Sequence, residues 1–245
     1  MNYWWVNQTD NWQDEFETGY LYSGESSHAY RKSILDVRKG DLVLCSHGKG
    51  EKRQIYAIGI IADDPPGQLV QRRTTRTVQS SNKNAWPRGW EVGINYHQLE
   101  SPVRWAPIRR LLQKTHIAKH FTKDAAGVQG YLFPVPLETT AAILRFVNME
   151  QPPGARFTIS EEASPTAVIT SVVAEVERRV GHRKWSEGVK AFWNDRCCAT
   201  GFSVRRLLRA SHIIPWSESE DTRLDPCNGL CREAAIHLSF FRRPI

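Results

Sequence analysis

The amino-acid sequence predicts an α+β fold in which a small curved sheet or barrel precedes a helical region and a short C-terminal segment. Short strand-like runs separated by turns fill most of the first 147 residues. A polar, proline-containing segment follows, and the chain then changes to apolar residues at helical spacing. Strands that come first and helices that come later are typical of the α+β class.

Three runs in the first part predict strands. The run "GDLVLCSHG" contains a short apolar stretch at 42–45, which predicts a buried strand. The run "QIYAIGIIADDPPG" predicts a strand that ends in a Pro-Gly turn. In "WEVGINYHQL", Trp90, Val92, Ile94 and Tyr96 alternate with polar residues or glycine, and this period of two predicts a half-buried strand.

Helices are predicted at several later points in the chain. "IRRLLQKTHIAKHF" and "LETTAAILRFV" are two helical runs within the first part. The segment "NMEQPPGARFTISEEASP" has no sustained period, and we expect it to be a linker. "TAVITSVVAEVERRV" and "KWSEGVKAFWNDR" again show helical spacing. We therefore predict a domain over 1–147, a linker over 148–167 and a second domain over 168–245.

The distribution of charge favours a polyanionic partner. The net charge is +7 for 245 residues. Residues 70–123 carry eleven Lys or Arg against two Glu, whereas residues 1–69 carry seven basic and ten acidic residues. A concentrated basic patch is typical of nucleic-acid binding, although a solvated surface without a partner is the alternative.

Composition also bears on the compartment. The chain has no run of eighteen apolar residues, and the opening "MNYWWVNQTDNWQDE" lacks the basic and apolar regions of a signal peptide. Five cysteines, an odd number, fit a reducing compartment. We expect a soluble cytoplasmic protein with no membrane segment.

Three polar residues near the C-terminus predict a hydrolytic site. "LLRASHIIPW" predicts a strand that ends at His212, and "LCREAAIHLSFF" predicts a helix that carries His237. A neutral histidine can activate water, and a second histidine can hold a cation. The amide of Asn228 can bind a metal or hold the loop between strand and helix. Spacing alone also allows two isolated histidines with no shared site.

The ordered motifs of this region resemble those of the HNH endonuclease family. These motifs are "CCATG", "ASHIIPW", "CNGL" and "AAIHLSFF". The resemblance implies a ββα-metal finger that cuts phosphodiester bonds with a divalent metal, Mg²⁺ or Mn²⁺, with Co²⁺ or Ni²⁺ as alternatives. It also implies that His212 is the general base, that Asn228 is the central asparagine and a metal ligand, and that His237 is a metal ligand.

The end of the chain departs from that family pattern. Phe241 stands where the family usually has an acidic residue, and Arg243 stands where it has glycine. A reader of modified nucleic acid with an inactive, truncated HNH domain is therefore the alternative function. Cys198, Cys227 and Cys231 raise a further alternative, a structural zinc.

The first domain is rich in aromatic residues, which can form a core or a stacking pocket for a flipped base. Its ordered motifs "MNYWWVNQT", "GYLYSG", "VRKGDLVLCS", "WPRGWEVGINY" and "GVQGYLFPV" resemble EVE domains, which are PUA-like relatives of YTH readers. The resemblance implies a PUA-like β-barrel that binds a flipped modified base, 5-methylcytosine or 5-hydroxymethylcytosine. Tyr22 matches one wall of the aromatic cage, Trp86 or Trp90 matches the second wall, and Trp5 is a weaker candidate.

Together, the two resemblances predict a modification-dependent DNA endonuclease of an EVE-HNH, type IV-like restriction system. Its partner would be double-stranded DNA with modified cytosine, and a double-strand break would require a homodimer or two binding events. The kinship with YTH readers leaves an RNA-directed protein as a third hypothesis. We expect five arginines to contact the DNA backbone: Arg72, Arg73, Arg76, Arg205 and Arg206.

Overall fold

The structure is a computed structural model that describes residues 1–8, 12–25, 33–48, 50–64, 69–71, 88–114 and 131–235. It confirms the α+β class, with a curled half-barrel sheet, several helices and a separate C-terminal hairpin. The chain forms two compact units, Met1–Glu177 and Arg178–Ile245.

A mixed sheet dominates the first unit. Its strands are ordered β2-β6-β4-β3-β1-β7, and β5 pairs with β6 beside this path. All of these pairings are antiparallel except that of β1 with β3. The strands are β1 (Tyr3–Gln8), β2 (Tyr20–Gly24), β3 (Leu42–His47), β4 (Gln54–Ile61), β5 (Val70–Gln71), β6 (Arg88–Arg104) and β7 (Leu132–Pro134).

The centre of the sheet follows from the sequence of β3 and β4. Their residues are buried almost without interruption, as expected for strands that are covered on both faces. Glu91 and Gly93 of β6 are also buried, so this stretch is covered on both faces and is not half-buried as predicted. The apolar residues Val92, Ile94 and Tyr96 are buried as the alternation predicts. These residues join Leu21 and Val43 in one hydrophobic core cluster.

Among the described residues, three α-helices lie wholly within the first unit: α1 (Trp12–Thr18), α2 (Trp105–Lys114) and α3 (Leu137–Glu150). α3 buries one side of its surface, which includes Ala141, Leu144 and Val147. The predicted helical run around α2 continues past residue 114 in the sequence, and Phe121 lies outside the described residues.

The segment predicted as a linker makes specific contacts in the first unit. The amide group of Gln151 exchanges hydrogen bonds with the backbone of Ser101 in β6, at 3.1 and 2.8 Å. The Asn148 side chain donates to the backbone oxygen of Phe157 and accepts from its backbone N–H. Phe157 is buried and packs edge-on against His97. These contacts order the segment, and the predicted domain boundaries stay predictions.

One helix replaces the two predicted after the linker. α4 runs without a break over Pro165–Phe192, and the division between the two units falls within it. Val172 and Val176 are buried in the first unit, and Val180, Trp185 and Val189 are buried in the second.

The second unit contains an antiparallel hairpin of β8 (Leu208–His212) and β9 (Gly229–Glu233). The inner face of the hairpin packs in a small core with Trp185, Val189 and Cys197 of the same unit. Gly229 is required at the start of β9, because a Cβ atom there would lie 2.2 Å from a methyl carbon of Val189.

Within the described part of the chain, every helix falls short of the length and hydrophobicity that a membrane span requires.

Candidate functional site

The hairpin fixes the position of His212. The strand register pairs His212 with Gly229, directly beside Asn228. Since side chains alternate along a strand, His212 shares the core-facing side with Leu208 and Ala210. The first predicted catalytic residue thus lies at the end of the strand, where the ring is half-buried.

Two contacts orient the His212 ring. It stacks on the Trp185 ring with 3.6 Å between centroids and 3° between planes. Its Nε2 atom lies 2.9 Å from the backbone oxygen of Arg223. A carbonyl oxygen can only accept a hydrogen bond, so this contact assigns the proton of the neutral ring to Nε2. Nδ1 then carries the lone pair that can accept a proton.

Asn228 holds the loop that connects β8 and β9. Its Oδ1 accepts from the N–H of Ile214 at 2.8 Å, and its Nδ2 donates to the backbone oxygens of Ile214 and Thr222, both at 3.1 Å. Its own backbone oxygen accepts from Ile213 at 3.1 Å. Because Asn228 is buried, these bonds are shielded from water. They match the loop-holding role that the sequence allowed for this amide.

The described residues do not by themselves form a metal site. No group of three or more His, Cys, Asp or Glu side chains among them is placed to hold a metal ion. The Asn228 oxygen already accepts a backbone hydrogen bond, and His237 lies outside the described residues, as do Phe241 and Arg243.

The cysteines of the zinc hypothesis differ in environment. Cys231 is buried, whereas Cys198 and Cys227 are exposed. Cys197 is buried in the small core, and burial raises the pKa of its thiol. Hydrogen bonds from the Thr200 hydroxyl and from backbone N–H groups outweigh burial and lower that pKa to about 7.

Further side chains lie near the His212 ring. Trp216 meets the His212 ring edge-on, with 5.7 Å between centroids and 83° between planes. The Arg223 guanidinium lies over the Trp216 ring, 5.3 Å from its centroid. His182 on α4 lies 6.2 Å from His212 between ring centroids. Burial, then the nearby His212 and Arg178, lower the pKa of His182.

Sequence reasoning missed these neighbours. The run "KWSEGVKAFWNDR" predicts only a helix, and its Trp185 lies 27 positions before His212. The sequence does not show that the runs "HRKW" and "ASHIIPW" lie next to each other in the fold. The only usable signal was the presence of an aromatic residue and a histidine one helical turn apart at positions 182 and 185.

Two of the predicted DNA-backbone arginines are described. Arg205 forms ion pairs with Glu187 and Asp195. Arg206 is exposed, and its backbone oxygen accepts a hydrogen bond from Arg209. Arg72, Arg73 and Arg76 lie outside the described residues.

The structure separates the aromatic residues predicted to bind a base. The register of β2 and β6 pairs Tyr22 with Glu91 and Ser23 with Trp90. Directly paired residues share a face, so Tyr22 and Trp90 project from opposite faces of the sheet. Trp90 packs against the hydrophobic core cluster, and Trp86 lies outside the described residues.

Trp5, the weaker base-binding candidate, lies in the core of the first unit. It has no exposed surface. Its ring packs on Trp105 with 4.8 Å between centroids, and its Nε1 donates to Oδ1 of Asn7 at 2.8 Å. A base could reach this ring only if the sheet opened.

A buried polar network supports the strand that carries Tyr22. The Tyr131 hydroxyl accepts from the N–H of Tyr22 at 3.0 Å and donates to Oε2 of Glu15 at 2.6 Å. Gln8 donates to the same carboxylate at 2.6 Å and to Tyr96 at 3.0 Å. Burial, and then Glu15, raise the pKa of Tyr131 well above its ordinary value, so this phenol keeps its proton.

One family model matches the part of the chain that contains His212 and Asn228. Residues 197–245 match the family model HNH_2, described as HNH endonuclease. The match confirms the predicted HNH region and supports a nuclease. HNH nucleases generally use a divalent metal. No curated protein matches the chain.

Solved structures are similar to the N-terminal part of the chain. A protein of Rhodopseudomonas palustris is 18% identical with a TM-score of 0.43, over 62% of this chain and 97% of that one. A hypothetical protein of Leishmania major is 14% identical with a TM-score of 0.42, over 62% and 98%. Human THYN1, solved in complex with DNA containing 5-methylcytosine, is 11% identical with a TM-score of 0.41, over 62% and 100%.

Proposed function

We propose that this protein is a modification-dependent DNA endonuclease of a type IV-like restriction system. The observation that carries the proposal is the oriented His212 ring within the region that matches the HNH endonuclease model. The EVE resemblance of the first 147 residues supplies the modification dependence. The substrate is double-stranded DNA with 5-methylcytosine or 5-hydroxymethylcytosine.

In the proposed reaction, Nδ1 of His212 takes a proton from a water molecule. The water oxygen attacks the phosphorus, the bond from phosphorus to the leaving oxygen breaks, and that oxygen takes a proton from solvent. Throughout, Nε2–H stays bonded to the Arg223 oxygen, which keeps the ring in place. A divalent metal, held by His237 and Asn228 in this proposal, would stabilise negative charge on the phosphate.

The base-reading step is assigned to the first unit. Tyr22, whose side chain is buried with 8% of the residue exposed, forms one wall for a base that is flipped out of the duplex. Stacking offsets part of the cost of flipping. Trp86 is our choice for the second wall, because Trp90 projects from the other face of the sheet. One finger cuts one strand, so a double-strand break requires two copies or two binding events.

Paired variants test the division of labour. His212→Ala should abolish cleavage of a methylated duplex and leave its binding nearly unchanged. The double variant Tyr22→Ala, Trp86→Ala should lose the preference for the modified duplex and keep metal-dependent cutting at high protein concentration. Trp90→Ala, a matched change on the other face, separates the two choices for the second wall. If the His212 and Tyr22 variants lose binding alike, the two-module function is wrong.

The alternative function is a reader without nuclease activity, and Phe241 and Arg243 in place of the family residues favour it. Cleavage should be assayed on duplexes with cytosine, 5-methylcytosine or 5-hydroxymethylcytosine, in Mg²⁺, Mn²⁺, Co²⁺ and Ni²⁺. Selective binding without cutting in all four metals would establish the reader.

A further inference from the structure

We infer that Trp185 is a positioning residue for His212, and that its indole face stabilises the imidazolium that forms when His212 accepts a proton. The inference rests on the proposed role of His212 as general base and extends it to a residue outside the region that matches the HNH model.

The His212 and Trp185 rings form a close parallel stack. Their centroids lie 3.6 Å apart and their planes are inclined by only 3°, so the imidazole lies over the indole face. Neutral aromatic pairs prefer offset or edge-to-face arrangements, because the negative faces of two rings repel each other. A cation over an indole face is attracted by the same charge distribution. Positive charge that develops on His212 during proton transfer is therefore stabilised by this stack more than the neutral ring is.

The indole cannot slide away from this position. Trp185 is only 2% exposed. Its Nε1–H donates to the backbone oxygen of Asp225 at 2.8 Å, within the loop whose Arg223 oxygen holds Nε2 of His212. A single loop thus fixes both rings. The edge-on contact of Trp216 restricts the imidazole from another direction.

This arrangement acts on the rate of proton transfer and leaves DNA affinity unchanged. The neutral ring gains little from the stack, whereas the developing imidazolium gains more. An interaction that strengthens only as the transition state forms raises kcat and leaves ground-state binding unchanged. Trp185 is buried and offers no surface to DNA.

Three variants test the inference in the full chain. Trp185→Leu removes the π face and should lower kcat on a 5-methylcytosine duplex by about tenfold, with KM unchanged. Trp185→Phe keeps an aromatic face without the N–H group and should recover most of that loss. Trp193→Phe is the matched control, because Trp193 also donates its indole N–H to a backbone oxygen of the second unit, that of Gly229 at 2.9 Å. It should leave kcat unchanged.

A spectroscopic signature keeps the test valid if Trp185→Leu does not fold. Ring protons of His212 lie over the indole and should resonate upfield in NMR spectra of the wild type, and less so in Trp185→Phe. A wild-type kcat in Trp185→Leu, equal kcat losses in the Leu and Phe variants, or an unshifted His212 signal would overturn the inference. Cleavage by His212→Ala would instead refute the proposed function itself.

Discussion

At the scale of single residues, Asn228 determines the shape of the loop between β8 and β9. Asparagine is suited to this role because one oxygen and two N–H groups satisfy three backbone partners. An aspartate of the same shape has no hydrogen to donate when ionised. It would also place a negative charge against the backbone oxygens of Ile214 and Thr222.

Asn228→Asp should therefore open the loop. Leaving buried acceptors unpaired costs about 1–3 kcal/mol each, more beside a charge. We expect faster hydrogen exchange at the Ile213 and Ile214 amides, together with loss of cleavage. Asn194→Asp is the matched control, because Asn194 is exposed in the same unit. Unchanged exchange in Asn228→Asp would contradict the loop-holding role.

Arg205 and Arg206 are neighbours with different surroundings, and they should respond differently to substitution. Both side chains are exposed, but the charge of Arg205 is opposed locally by Glu187 and Asp195. Arg206→Ala should weaken binding to modified and unmodified duplexes equally and reduce the slope of log affinity against log salt by about one.

Arg205→Ala should reduce the slope of log affinity against log salt by less than Arg206→Ala does. The measurement is fluorescence anisotropy with matched duplexes over a salt series. Equal effects of the two variants would show that the two ion pairs do not restrain Arg205 when DNA binds.

The identity of these residues was accessible from the sequence, but their orientation was not. His212 and Asn228 occur in ordered motifs that resemble a known family. The tautomer of His212 depends on a carbonyl eleven positions later, and its stack depends on a helix 27 positions earlier. Such contacts arise from tertiary packing, which local patterns do not contain.

At the scale of elements, we expect the edge formed by α1 and the end of β3 to respond to pH. Trp12 stacks on His47 with 4.5 Å between centroids, and Nε2 of His47 lies 2.9 Å from the Gln54 amide nitrogen. The amide nitrogen can only donate, so Nε2 accepts and the ring is neutral in this arrangement. Burial lowers the pKa of His47 from its ordinary 6.5.

This shift predicts a loss of stability on acidification. Between the lowered folded pKa and the unfolded value near 6.5, the unfolded chain binds more protons, so stability falls as pH falls through this window. The free energy of unfolding of the wild type, minus that of His47→Gln, should decline from about pH 7 downward. Carboxylates titrate in both proteins, so their effects cancel in this difference. A constant difference from pH 8 to 5 would refute the role of His47.

The elements also show where pattern reading succeeds and where it fails. Alternation along β6 predicted its buried face, with Val92, Ile94 and Tyr96 directed to the core. The same pattern could not place Tyr22, because the register between β2 and β6 decides whether Tyr22 lies on the same face of the sheet as Trp90. Likewise, two helical runs with separate apolar residues gave no sign that α4 is one helix that enters both units.

At the scale of the whole molecule, the charge is distributed over both units. Residues 178–245 carry thirteen Lys and Arg against seven Asp and Glu, and residues 70–123 carry a second basic concentration. Phosphate contacts from such surfaces do not distinguish cytosine from its modified forms. The aromatic pocket proposed around Tyr22 reads the base by stacking, which carries no net charge.

Affinity and selectivity should therefore respond differently to salt. Raising salt from 50 to 200 mM should weaken binding to both duplexes steeply, because each neutralised phosphate releases counterions. The ratio of the two affinities should stay constant, because the base contact releases none. Anisotropy with duplexes that differ in a single methyl group measures both quantities, and Tyr22→Ala supplies the control in which the ratio falls to one at every salt concentration. A ratio that collapses as salt rises would show that charge, and not an aromatic pocket, distinguishes the modified duplex.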